Sequence, residues 1–276
     1  MTGFSAPIGV FDSGYGGLTI LNKIRERLPQ YDYLYLGDNA RAPYGTRSFD
    51  VIYRFTLQAV RYLFSQGCPL VILACNTASA KALRTIQQKD LPGIDASRRV
   101  LGIIRPTAEA VTAISRTGHI GVLGTPGTIQ SRSYDIEISK QNPDSVTVGH
   151  GCPMWVPLVE NNEGDKPGAD YFVRQEIERL MARDKEIDTA ILACTHYPLL
   201  LPKIRHFLPG HVSIICQGDI VAESLADYLQ RHPEMEARLS TSAETQFLTT
   251  ENAVKFSEMA SFFLGEPIHA DTVTLS

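Results

Sequence analysis

Two cysteines stand at matching points of two similar stretches, Ile72-Leu-Ala-Cys75-Asn-Thr77 and Ile191-Leu-Ala-Cys194-Thr-His196. Each closes a short apolar run that reads as a buried strand and opens a polar loop leading toward a helix. A thiol so placed meets helix-end amides and the positive end of the dipole, which favours its thiolate. With an ordinary pKa of about 8.5, cysteine can exchange a proton near neutral pH. A single such residue reads better as an inert buried thiol, and Cys68, Cys152 and Cys216, with no comparable loop, are read that way. Two in the same setting point to a symmetric reaction. One thiolate removes a proton from a substrate carbon while the other thiol delivers one to the opposite face. Asp12, at the end of the strand Ile8–Phe11, is placed to reach Cys75 as proton partner, and His196, two residues after Cys194, to do the same in the other lobe. A helix cap for Asp12 and a plain loop residue for His196 are the alternatives.

Further loop residues suit an anionic ligand that carries an amine. Ser13, Gly14, Gly16 and Gly17 open a helix after the first strand, and Pro43-Tyr44-Gly45 forms a turn after the second. Thr125, Gly127 and Thr128 open a helix after the run ending at Leu123. Hydroxyls and helix-end amides bind carboxylates without arginine. The Gly14-x-Gly16-Gly17 run lacks the third spaced glycine of a dinucleotide fingerprint, and no phosphate-binding GxxxxGK[ST] loop occurs.

These residues need a frame. Apolar runs at Ile8–Phe11, Tyr33–Leu36, Leu70–Ala74 and near Val100, Ile120, Val146, Ala190 and Val212 alternate with amphipathic stretches. The stretches at Leu18–Leu28, Phe49–Phe64 and about 78–88 read as helices, and the tail as a strand at Thr245–Thr250 and a helix at Ala253–Leu264. Such alternation predicts an α/β fold with parallel sheets flanked by helices, its ligands at the carboxyl ends of strands. The cysteine motifs lie 119 residues apart, and Ile8-Gly-Val-Phe-Asp-Ser-Gly14 recurs 112 residues on as Ile120-Gly-Val-Leu-Gly-Thr-Pro126. Similar offsets predict two related lobes facing a cleft. We expect one lobe to comprise residues 1–98 plus 209–276 and the other residues 99–208.

The composition agrees. The chain has 276 residues, 43% of them hydrophobic, with 26 Lys plus Arg against 30 Asp plus Glu. A net charge of −4 with no basic block argues against a nucleic-acid partner. No apolar run is long enough to cross a bilayer. Met1-Thr-Gly-Phe-Ser-Ala-Pro7 lacks the layout of a signal peptide, so a cytoplasmic location is expected. Five cysteines without a Cys-x-x-Cys pair favour free thiols, and no metal-ligand spacing stands out.

The motifs together resemble the glutamate racemases, a cofactor-independent family. The likeness rests on Phe11-Asp-Ser-Gly-Tyr-Gly-Gly-Leu-Thr19, Gly37-Asp-Asn-Ala-Arg-Ala-Pro-Tyr-Gly45, Ala74-Cys-Asn-Thr-Ala78 and Cys194-Thr-His-Tyr-Pro198. It extends to Gly121-Val-Leu-Gly-Thr-Pro-Gly-Thr-Ile129 and Cys152-Pro-Met-Trp-Val-Pro-Leu-Val-Glu160. The resemblance implies two pseudo-symmetric α/β lobes that interconvert L- and D-glutamate for peptidoglycan and hence for cell-wall biogenesis and cell shape. It implies Cys75 and Cys194 as the catalytic pair. It also implies glutamate contacts at Asp12, Ser13, Pro43, Tyr44, Gly45, Asn76, Thr77, Thr125, Thr128, Thr195 and His196. No cofactor and no metal are expected, since Lys81, Lys140 and Lys203 fall in predicted helices and no loop offers a Schiff-base lysine. The expected partner is the small-molecule substrate, with no nucleic acid and no membrane, and a homodimer is admitted. Tyr15, Ala42 and Ala193 depart from the family's commoner residues and touch loop packing rather than catalytic groups. An aspartate racemase of the same superfamily and a two-lobed amino-acid binding protein are the competing readings.

Overall fold

The computed structural model describes residues 6–275. Met1–Ser5, on which part of the signal-peptide reading rests, and Ser276 lie outside the described residues. Among the described residues, ten strands form two wholly parallel sheets. The first comprises β1 (Ile8–Asp12), β2 (Tyr33–Gly37), β3 (Leu70–Leu73), β4 (Arg99–Gly102), β9 (Thr245–Thr249) and β10 (Ala270–Thr272), in the order β10-β9-β2-β1-β3-β4. The second comprises β5 (His119–Gly124), β6 (Val146–Gly151), β7 (Thr189–Ala193) and β8 (Ser213–Ile215), in the order β6-β5-β7-β8. Every residue of β1, β2, β3 and β7 is buried, as strands covered by helices on both faces require. The tyrosines of β2 stay satisfied, since Tyr33 donates to the Leu28 carbonyl at 2.7 Å and Tyr35 to the Gly14 carbonyl at 2.9 Å.

The helices follow the sequence signals. Ser48 caps Phe49–Ser65 by accepting from the Val51 amide at 3.4 Å, and Ile52, Thr56, Ala59, Val60 and Leu63 form its buried stripe. Gly67, with a φ of 93°, follows the helix end. The helix expected at about 78–88 starts two residues earlier. Cys75 itself caps Asn76–Lys81, and beyond Ala82 the chain continues as short helical turns.

The expected lobe boundaries need correction. β4 pairs with β3, Leu70 opposite Arg99, so residues 99–102 belong to the first sheet. β8 pairs with β7, Thr189 opposite Ser213, so residues 213–215 belong to the second. The chain therefore crosses between lobes at about residues 103 and 216, not at 98 and 208. The run at Val100 carries no local mark of which sheet it joins, and long-range pairing decides. The crossing segments are the helices Ile104–Ile114 and Gln217–Arg231, which pack on each other.

The two sheets share a layout. In the first, β2 and β3 flank β1 on opposite sides; in the second, β6 and β7 flank β5 in the same way. Strand order thus reverses beside β1 and beside β5, and a crevice opens at the carboxyl ends there. Cys75 follows β3 and Cys194 follows β7, the corresponding strands. Among the described residues, no helix is long and apolar enough to cross a membrane.

Candidate active site

The loop after β1 supplies the first acidic group. Gly14 donates its amide to Asp12 Oδ2 at 2.9 Å, a local turn that uses only one carboxyl oxygen. Oδ1 is buried and finds no protein partner among the described residues. Burial raises the pKa of Asp12, while His196 and the Gly14 and Gly17 amides act the other way. A buried carboxylate oxygen without a donor suits a cation supplied from outside, such as an ammonium group.

Cys75 sits across the same crevice. Its sulfur lies 3.3 Å from Ser13 Oγ and 3.4 Å from the Ala78 amide. The expected depression of this thiol by its helix does not occur. Burial, then the charge of Asp12, push Cys75 up to about 12, although Ser13 and Ala78 pull it down. The dipole of a six-residue helix is a small effect, and loss of water around a fully buried sulfur outweighs it. Ser13, rather than Asp12, is the group in contact with the sulfur.

Cys194 has a different setting. Its sulfur faces Nδ1 of His196 at 3.9 Å, and Nε2 of the same ring lies 2.9 Å from Glu160 Oε1. Burial alone would lower the pKa of His196, but the bonds to Cys194 and Glu160 override it and lift the imidazole to about 10. His196 therefore holds a proton at neutral pH. Residue-by-residue reading misses Glu160, although it ends the Cys152–Glu160 motif; 36 residues separate it from His196. Cys194 lies within electrostatic reach of Cys75.

Hydroxyls from both lobes meet between them. Thr77 Oγ1 is 2.9 Å from Thr125 Oγ1 and 3.3 Å from Thr128 Oγ1, and Thr125 also receives the Thr128 amide at 3.2 Å. The Gly127 amide donates to the Gly45 carbonyl at 2.8 Å, pinning the Pro43-Tyr44-Gly45 turn against the second lobe. Tyr44 is buried with its hydroxyl donated to Asp38, which also receives Arg41 and Thr250. Tyr44 thus anchors the turn, and Pro43 is exposed at its rim. Thr195 gives its carbonyl to the Thr19 hydroxyl at 3.1 Å, another link between lobes. Asn76 lies in a buried polar cluster with Gln217, another residue that local sequence reading misses.

Close packing completes the site. A Cβ on Gly16 would sit on top of Thr195 Oγ1 and 2.5 Å from His196 Nδ1, so only glycine fits this crossing of the two loops. Tyr15 stacks on Phe256 at 5.4 Å and approaches Phe263 at 6.0 Å, and Phe263 meets the His196 ring edge-on at 5.9 Å. The unusual Tyr15 is thereby absorbed into an aromatic cluster with the helix Ala253–Leu264. Asp12, Cys75, Cys194 and His196 are only 1%, 6%, 5% and 5% exposed, so the lobes are closed over them.

Residues 8–225 match the family model described as Asp/Glu/hydantoin racemase. A glutamate racemase from Dinoroseobacter shibae is 40% identical over 271 residues, covering 95% of this chain and 96% of that protein. Among solved structures, a glutamate racemase isoform from Bacillus anthracis is similar with a TM-score of 0.89 at 36% identity, covering 98% of each chain. The Francisella tularensis glutamate racemase, solved in complex with D-glutamate, follows with a TM-score of 0.87 at 32% identity, covering 99% of this chain and 98% of that one. With identity of this order across nearly the whole of both chains, the chain belongs to the Asp/Glu/hydantoin racemase family and stands among its glutamate racemases.

Proposed function

We propose that this enzyme interconverts L- and D-glutamate by proton transfer at Cα between Cys75 and Cys194, and so supplies D-glutamate for peptidoglycan. One observation carries the reading: the two thiols stand at corresponding strand ends, β3 and β7, and face one cleft from opposite lobes. The unpartnered Asp12 Oδ1 is the acceptor for the substrate ammonium. The hydroxyls of Thr77, Thr125 and Thr128 can turn to carboxylate oxygens. The ammonium also brings positive charge beside Cys75, which lowers the thiol pKa that burial has raised.

Turnover then balances. One sulfur, as thiolate, takes the Cα proton, the electron pair stays on Cα and its carboxylate, and the opposite thiol gives its own proton to the other face. The centre inverts, and the sulfurs exchange protonation states. Resetting moves a proton through the partner of each: Ser13 beside Cys75, and His196 with Glu160 beside Cys194. No step calls for an electron sink beyond the substrate, so the proposal includes no cofactor and no metal.

Turnover of L-glutamate in deuterium oxide tests this. Newly formed D-glutamate should carry deuterium at Cα from the first turnover, while the remaining L-glutamate stays largely protiated at low conversion. The two are told apart by proton NMR of the separated enantiomers. Early D-glutamate that keeps the substrate's own proton would point to a single base and overturn the paired-thiol mechanism.

A further inference from the structure

A closed ring of hydrogen bonds lies behind the catalytic loop. Asn76 donates from Nδ2 to Gln217 Oε1 at 2.7 Å, and Gln217 donates from Nε2 to the Tyr134 hydroxyl at 2.8 Å. Tyr134 donates back to Asn76 Oδ1 at 2.7 Å. The second hydrogen on Gln217 Nε2 goes to Thr107 Oγ1 at 2.9 Å, whose own proton goes to the Ile103 carbonyl. Each donor and acceptor fits only one orientation of both amides. None of the four side chains is more than 3% exposed.

Four different parts of the fold supply them. Asn76 is the neighbour of Cys75 in the first lobe, and Tyr134 belongs to the helix Ser133–Gln141 of the second. Thr107 and Gln217 stand on the two crossing helices, the only described segments through which the chain passes between lobes. Tyr134 also lies within electrostatic reach of Cys194. A fully satisfied ring of this kind specifies one arrangement of the groups it holds.

We infer that Gln217 is a positioning residue. It fixes the Asn76 amide in one orientation beside Cys75 and ties that orientation to the closed geometry of the two crossings. Asn76 has two amide hydrogens, and the ring uses one. The other has no acceptor among the described residues and is the one presented to substrate. The inference rests on the racemase reading, in which Asn76 contacts glutamate.

A double-mutant cycle tests it. Gln217→Met should lower kcat/KM about tenfold or more, as loss of a buried donor and acceptor entails. In an Asn76→Ala background, the same change should cost less than about twofold, because the group it positions is already gone. Equal losses in the two backgrounds, or a Gln217→Met enzyme within about twofold of wild type, would overturn the inference. Gln217→Glu adds a readout that mere packing would not move. Its carboxyl can make one of the amide's two donations, and only when protonated, so its activity relative to wild type at the same pH should recover in part as pH falls. A flat ratio would count against the positioning role. If Gln217→Met fails to give folded protein by circular dichroism, Tyr134→Phe replaces it in the same cycle with the same expectations. A wild-type enzyme that leaves the optical rotation of L-glutamate unchanged overturns the racemase reading itself, a result distinct from every outcome of the cycle.

Discussion

Glu160 Oε1 lies 2.9 Å from Nε2 of His196, whose other ring nitrogen faces the sulfur of Cys194. This pair sets an imidazole backed by a carboxylate against Cys194, where the first lobe sets Ser13 and a helix amide against Cys75. Replacing Glu160 by Gln removes the negative charge and lets the pKa of His196 fall toward its ordinary value. The alkaline limb of the kcat/KM profile should move to lower pH, with activity down about tenfold or more at neutral pH. An unmoved alkaline limb would mean that His196 keeps its proton without Glu160.

Cys75→Ala and Cys194→Ala should each abolish racemisation in both directions, because in the proposed scheme each sulfur serves one face of Cα. Both side chains are small, and their loss should cost about 1 kcal/mol of stability, near the value for one buried methylene. Polarimetry and urea unfolding of the two variants check the two halves of this expectation. Turnover near the wild-type rate in either variant would sink the two-thiol scheme.

Gly16→Ala should impair the enzyme without any loss of a functional group. The added methyl meets the Thr195 hydroxyl and the His196 ring, two buried side chains that cannot retreat cheaply. We expect a loss of about 1–3 kcal/mol in stability, together with a raised KM for glutamate as the lobes close less completely. Thermal unfolding and steady-state kinetics measure both, and a variant with wild-type KM would show that the loops slide apart freely.

His196 also gives stability a defined pH window. Its proton is held up to about pH 10 in the folded chain, against about 6.5 when unfolded. A group with a raised folded pKa stabilises fully below the unfolded value and loses that contribution as pH rises through the folded one. Stability should therefore fall between about pH 6.5 and 10. Cys75, raised to about 12, continues the decline above about pH 9. Urea midpoints across this range should flatten in His196→Gln between about pH 6.5 and 9. The same decline in the variant as in wild type would assign it to another group.

The cysteine pair and the strands that carry it are legible in the sequence, because a buried parallel strand writes itself as a continuous apolar run such as Leu70–Leu73. The repeat of Ile72–Thr77 at Ile191–His196 exposes the relation between the two sheets. What is not legible depends on contacts made far along the chain. Glu160 reaches His196 from another element, and Gln217 meets Asn76 across 141 residues. No local pattern marks either pair. The direction of the Cys75 pKa fails for a related reason: the helix amide is foreseeable from the loop, but the depth of burial belongs to the closed lobes. β4 and β8 escape correct assignment because four or three extended residues look alike in either sheet.

The pairing of β9 with β2 fixes an order of events during synthesis. Residues 33–37 leave the ribosome about 200 residues before their partner at 245–249. At about 5–20 residues per second, that is roughly 10–40 s of translation. Throughout that interval, the Tyr33-Leu-Tyr-Leu-Gly37 strand has an uncovered edge, open to any other nascent strand. The second sheet, continuous from residue 119 to 215, has no such wait. Phe263, the aromatic neighbour of His196, arrives later still. Catalytic competence is therefore acquired only after residue 263 has been made, and a chain released before it carries both cysteines without a finished site.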